Sequence, residues 1–197
     1  MSKKRQLWSH PWGYKESFII AFELLLLGFI IEVVTPNSSL PIISMPLNIL
    51  IGIVLLAAVL FLKLFYDQRP VIKWLSSVPA AVSAISMLAF LSVLLGFLPS
   101  AAMKELPFAN RLGLSHLKVS WPFLLSQLYF LLTLGLATLR RVKPLKKKNI
   151  GFLLNHVGLW IVIFAALLGA GDLKRLSLSL NEQGNFVDVA TDHQGKK

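Results

Sequence analysis

Of 197 residues, 55% are hydrophobic and only 15% charged, with a mean hydropathy of +0.69, where a soluble domain carries about a quarter charged residues. The formal net charge of +11 would point to nucleic acid in a soluble chain, but the apolar residues come in blocks long enough to cross a bilayer, so no nucleic-acid partner is expected and the positions of the charges matter more than their sum. There is no cysteine, which excludes disulfides, thiol relays and thiolate metal sites.

The N-terminus carries Lys3, Lys4 and Arg5 and then "QLWSHPWGYKES", rich in aromatics and with no small-residue cleavage site after the first apolar block, so it is not a cleavable signal. The predicted spans follow in order at 17–34, 46–65, 77–97, 119–139 and 150–170. At ~1.5 Å per residue, blocks of this length cover about 30 Å, the thickness of a hydrocarbon core. The fold class is therefore an all-α integral membrane protein of five spans, with residues 1–172 forming the bundle.

Within the first span, Glu23 sits near mid-membrane, where a carboxyl is a functional candidate; its other reading, which the sequence favours, is a neutral group hydrogen-bonded to a neighbouring helix. Glu32 lies near the outer end, where water is expected to reach it. Pro79 stands at the start of the Ala/Ser-rich third span. The long loop before the fourth span carries His116, open to reading as an outer-face ligand or a solvated loop residue. Trp8, Trp12, Tyr14, Tyr66, Trp74 and Trp121 read as interface-belt aromatics.

Lys and Arg set the orientation. With the N-terminus inside, the segments 3–15, 63–73 and 140–148 place thirteen cations in the cytoplasm, against Lys104, Arg111 and Lys118 outside. Five spans then leave the C-terminal tail outside. In that tail Leu176, Leu178 and Leu180 alternate with Ser177 and Ser179, "NEQGN" offers a turn, and Phe186, Val187 and Val189 begin a second strand. Residues 173–197 thus read as the start of an extracytoplasmic β segment.

The fifth block, "NIGFLLNHVGLWIVIFAALLGAGD", holds one histidine, His156, inside an apolar span. On a helix, Leu153, Trp160, Ile163 and Leu167 share its side, flanked by Phe152 and Leu159. Gly151, Asn155, Gly158, Ala165, Ala166 and Gly169 form an opposite, small-residue face, expected to pack within the bundle. A histidine among Trp, Phe and Ile suits axial ligation of haem iron with greasy walls for the porphyrin, and the cations from Arg140 to Lys148 suit either propionates or anionic lipid. The alternative is a helix–helix hydrogen bond. His10, His116 and His193 lie outside the spans, so a second axial ligand would come from another protein. The sequence shows no Ser-His-Asp set, no phosphate loop and no His-rich metal spacing.

Several segments resemble one family: "HPWGYKESFIIAFELLLLGFIIE", "PLNILI", "SWPFLLSQLYFLLTLGLATLRR" and above all "FLLNHVGLWIVIFAALLGAGDLKRL" are similar to the N-terminal five-span portion of the ResB/CcsB proteins of cytochrome c biogenesis, in their Bacteroidetes-like form. The resemblance implies a haem-handling subunit of a cytochrome c synthase in the bacterial inner membrane, with no activity alone. It implies a CcsA-type membrane partner supplying the other haem ligand, transient haem b shared with that partner, and apocytochrome c as acceptor. It assigns His156 as axial ligand to the haem iron, with Phe152, Trp160 and Ile163 around the cofactor. The family continues into a larger outer β domain, so this chain is expected to be a fragment, a split-gene product or a reduced homologue. Two competing readings are a membrane b-type cytochrome, which would want paired transmembrane histidines, and a non-catalytic scaffold with His156 structural.

Overall fold

A computed structural model describes residues 8–35, 44–142, 146–169, 176–177 and 191–192. Five helices in it are long and apolar enough to cross a membrane: α1 (Tyr14–Val34), α2 (Leu47–Tyr66), α4 (Val78–Phe97), α7 (Trp121–Val142) and α8 (Ile150–Leu168). They match the expected spans to within three residues at each end. The linkers are more structured than their breaker-rich sequences imply. A short α3 (Pro70–Leu75) follows α2, while α5 (Ser100–Glu105), α6 (Pro107–Arg111) and a 3-10 segment, Leu114–Val119, fill the long loop before α7.

Prolines mark the helix starts. Pro70, Pro79 and Pro107 each stand in the first turn, where the missing N–H would have had no partner in any case. Gly13 opens α1, its N–H capped by Glu16 Oε2 at 2.8 Å. A positive φ of 74° at Gly113 turns the chain into the 3-10 segment, a conformation that favours glycine.

The bundle is built around α7, half of whose residues are buried. It packs against α1, α4, α8 and α2. Apart from Arg140 and Arg141 at its end, its polar side chains are buried inside the bundle, as they must be where the alternative is hydrocarbon. Ser126, Thr133 and Thr138 donate to carbonyls one turn back, and the Tyr129 hydroxyl lies 3.0 Å from Ser83 Oγ on α4. Around this axis cluster Ala80, Ala84, Met87 and Leu91 of α4, Phe123, Phe130 and Leu134 of α7, and Trp74. At Gly28 a Cβ would stand 2.5 Å from Pro122 Cα. The glycine is what lets α1 lie on the start of α7.

At one end of the bundle lie the starts of α1, α4 and α8 and the ends of α2 and α7. It carries Lys15, Lys63, Arg69, Lys73, Arg140, Arg141 and Lys146–Lys148. The far end carries Glu32, Lys104, Glu105, Arg111 and Lys118. We call the first the basic end.

Of the aromatics expected at the membrane interface, Trp8, Tyr14 and Tyr66 are exposed, whereas Trp74 is buried inside the bundle, only 6% exposed. Trp74 donates to Ser17 Oγ at 2.8 Å and meets the Trp12 ring edge-on, so it locks α3 to α1. Past α8, Leu176–Ser177 pairs antiparallel with Thr191–Asp192. The turn expected at 181–185 and the strand expected at 186–189 lie outside the described residues.

Candidate functional site

His156 stands on the second turn of α8. Its Nδ1 is 2.9 Å from the Phe152 carbonyl. A carbonyl can only accept, so Nδ1 carries a proton, and in the neutral ring Nε2 keeps its lone pair. Nε2 has no hydrogen-bond partner among the described residues. Metal-ligating histidines are held in this way, one ring nitrogen donating to a carbonyl and the other presented to the metal. The Phe152 ring lies on the imidazole with centroids 3.6 Å apart, and the Arg141 guanidinium sits 4.4 Å from the Phe152 ring centre. Cation, ring and imidazole thus form a stack at the basic end, half-exposed at His156.

The other two expected cofactor residues are placed differently. Trp160 donates from Nε1 to the Leu131 carbonyl of α7 at 3.1 Å and stacks on Phe164. Ile163 packs, with Trp160, against the core cluster. The structure therefore brings Phe152 and His156 together and turns Trp160 and Ile163 toward α7 as the anchor of α8.

The small face of α8 is the clearest correction. It was expected inside the bundle, yet Asn155, Ala165 and Ala166 are exposed and nothing lies within 4 Å of a Cβ built on Gly151, Gly158 or Gly169. The glycines that allow close approach belong to the neighbours. Gly135 of α7 makes room for Trp160 and Val59, and Gly52 of α2 lies against the Phe164 ring. Bulky residues of α8 enter those gaps, which leaves its small face outward.

Glu23 is also corrected. It is exposed on the outside of the bundle, and no neighbouring helix bonds it among the described residues. A carboxyl at mid-span on a lipid-facing surface is costly unless another molecule meets it.

Glu32, expected within reach of water, is 3% exposed. Its Oε1 accepts from His116 Nε2 at 2.8 Å, and its Oε2 accepts the backbone N–H of Trp121 at 2.8 Å. That N–H belongs to the first turn of α7, so the carboxylate caps a helix it is not part of. Ser115 Oγ lies 3.0 Å from His116 Nδ1 and 2.6 Å from Asn110 Oδ1. His116 is thus neither a free outer ligand nor a solvated loop residue, since both ring nitrogens are engaged. No sequence signal links residues 84 positions apart, and this network was invisible before folding.

Sequence reading also missed a cavity of about 1220 Å³ at the basic end, lined by residues of the N-terminal segment, α2, α3, α7 and the approach to α4. His156 does not line it. Among the described residues no three His, Asp or Glu side chains gather as a metal cluster. Comparison of the chain with family models, curated proteins and solved structures finds no match.

Proposed function

We propose that the chain is a haem-handling subunit of a membrane cytochrome c synthase, working with a CcsA-type partner to present haem for covalent attachment to apocytochrome c. One observation carries this reading. An imidazole at membrane depth has its Nδ1–H fixed on the Phe152 carbonyl and its Nε2 lone pair without a partner among the described residues. At that depth a lone pair left unmatched is unfavourable, and an axial bond to haem iron would satisfy it. Phe152 would cover one side of the ligand ring, and Arg141 stands close enough to the stack to meet a propionate.

In this reading His156 supplies one axial nitrogen and the partner the other. The bound haem supplies the vinyl groups that become thioether links to the acceptor. This chain's own part is to hold the imidazole in one tautomer, orient it through Phe152, and offer cations at the basic end. The outward small face of α8 and the lipid-facing Glu23 support a membrane partner. Small residues allow a second helix to approach closely, and a polar side chain opposite Glu23 would remove its cost. The charge asymmetry of the two ends supports a cytoplasmic N-terminus in the bacterial inner membrane, with the tail outside.

The test is a visible absorption spectrum of the chain co-purified with a CcsA-type partner, wild type against His156→Ala. Haem absorbance in the wild type, lost in the variant and restored by added imidazole, is the expected result. Equal haem in both proteins, or none in either, overturns the reading.

A further inference from the structure

The basic-end cavity is independent of His156 and has a chemistry of its own. Within it Lys63 is paired with Asp67, its helical neighbour at i+4, which neutralises both. Lys73 and Arg140 have no carboxylate within ion-pair distance among the described residues. Arg140 makes one long bond, from Nη1 to the Ser76 carbonyl at 3.4 Å. Beside them stands Ser77, the residue before α4, whose hydroxyl is buried with no hydrogen-bond partner and does not cap its helix. Two exposed, unneutralised cations and a buried orphan hydroxyl among the lining residues suit an anion with several acceptor oxygens.

The rest of the cavity is greasy. Leu64 and Phe65 line it while being 72% and 71% exposed on the outer surface of α2, so the apolar wall runs continuously from the cavity to the lipid-facing side of the bundle. Leu139 of α7 extends that wall on the other side. A free anion has no use for it; an amphiphile entering sideways from the bilayer does. Helix ends with their Lys and Arg lie at headgroup depth in any five-span protein of this length.

We propose that this cavity binds an anionic glycerophospholipid, with its phosphate on Lys73, Arg140 and Ser77 and its acyl chains along Leu64, Phe65 and Leu139. The Ser77 hydroxyl reaches the phosphate by rotating about χ1. Such a lipid acts as a structural wedge between α2 and the α3–α4 corner, and the proposal does not depend on haem binding.

The experiment is native mass spectrometry of the delipidated full chain in detergent, titrated with phosphatidylglycerol, phosphatidylcholine or inorganic phosphate. Expected is a retained phosphatidylglycerol at concentrations where phosphatidylcholine and inorganic phosphate are not retained. The double variant Lys73→Ala/Arg140→Ala weakens retention about twenty-fivefold, roughly fivefold per cation. Lys147→Ala/Lys148→Ala, basic but outside the cavity, leaves it unchanged. Leu139→Trp fills the apolar arm with all charges kept and also weakens retention, which guards against a cation variant that fails to fold. Equal binding of inorganic phosphate, equal loss in the Lys147/Lys148 control, unchanged binding in both cavity variants, or displacement of the lipid by haem each overturns the assignment.

Discussion

The most consequential single side chain outside the His156 stack is Glu32. A carboxylate 3% exposed is tolerable only because both oxygens are matched, one by a side chain and one by a helix terminus. Removing its partners therefore has graded costs. Glu32→Ala leaves the Trp121 N–H and His116 without an acceptor and opens a void, and should lower stability by about 2–4 kcal/mol. His116→Ala should cost about 1–2 kcal/mol, because the 30% exposed ring site lets water reach the carboxylate. Glu32→Gln keeps a carbonyl for the N–H and an amide for the imidazole, and should cost least. Midpoints of thermal unfolding in detergent check the order, and Glu32→Gln falling as far as Glu32→Ala would sink the capping argument. Hydropathy read Glu32 as wet because it lies near a span end. It could not show that a loop 84 residues away folds over it. Glu23 shows the converse error, since being central in a span does not say which face is buried. Because Glu23 has no partner among the described residues of the bundle, Glu23→Leu should raise the midpoint of the isolated chain while weakening its co-purification with a membrane partner. A lowered midpoint would mean that the carboxyl serves the bundle itself.

Among elements, α8 explains how a sequence can divide a helix into two faces correctly and still turn it the wrong way. The periodicity separated Leu153, His156, Trp160, Ile163 and Leu167 from the small residues, and the structure keeps those two groups apart. The rule that small faces pack inward left open which helix contributes the small residue. Here Gly135 of α7 and Gly52 of α2 do so, and the Trp160–Leu131 hydrogen bond fixes the rotation. Length and hydropathy, by contrast, are local quantities, which is why the span boundaries were legible to within a turn. The glycines give a direct test of the packing. Gly28→Ala forces a methyl against the Pro122 backbone and should destabilise by about 1–3 kcal/mol. Gly96→Ala meets open space and should be neutral or slightly stabilising. Gly158→Ala, also in open space, should leave the isolated chain's melting midpoint unchanged, and a loss of partner association in that variant would identify the small face as the docking side. Equal midpoints for Gly28→Ala and Gly96→Ala would mean that α1 and α7 are not in contact where the structure puts them.

At the scale of the whole molecule, the two ends of the bundle differ sharply in charge. Nine described cations against Glu16 and Asp67 at one end face three against Glu32 and Glu105 at the other. Positive charge near span ends resists translocation, so the basic end should stay in the cytoplasm. The haem-uptake part of the proposal depends on that polarity. With the basic end inside, His156, two turns from that end, would lie in the inner half of the membrane, and the Glu32–His116 lock, with α5, α6 and the 3-10 segment covering the bundle there, would lie at the outer face. The chain has no cysteine, so a single introduced thiol is an unambiguous reporter. Lys146→Cys at the basic end should resist a membrane-impermeant maleimide in intact spheroplasts and react once the membrane is opened. Ser100→Cys at the far end should react in both. The reverse pattern would place the basic end outside and bring His156 near the outer surface. That would remove the basis for haem uptake from the cytoplasmic side while leaving the tautomer argument at His156 intact, so the two parts of the functional reading can fail separately.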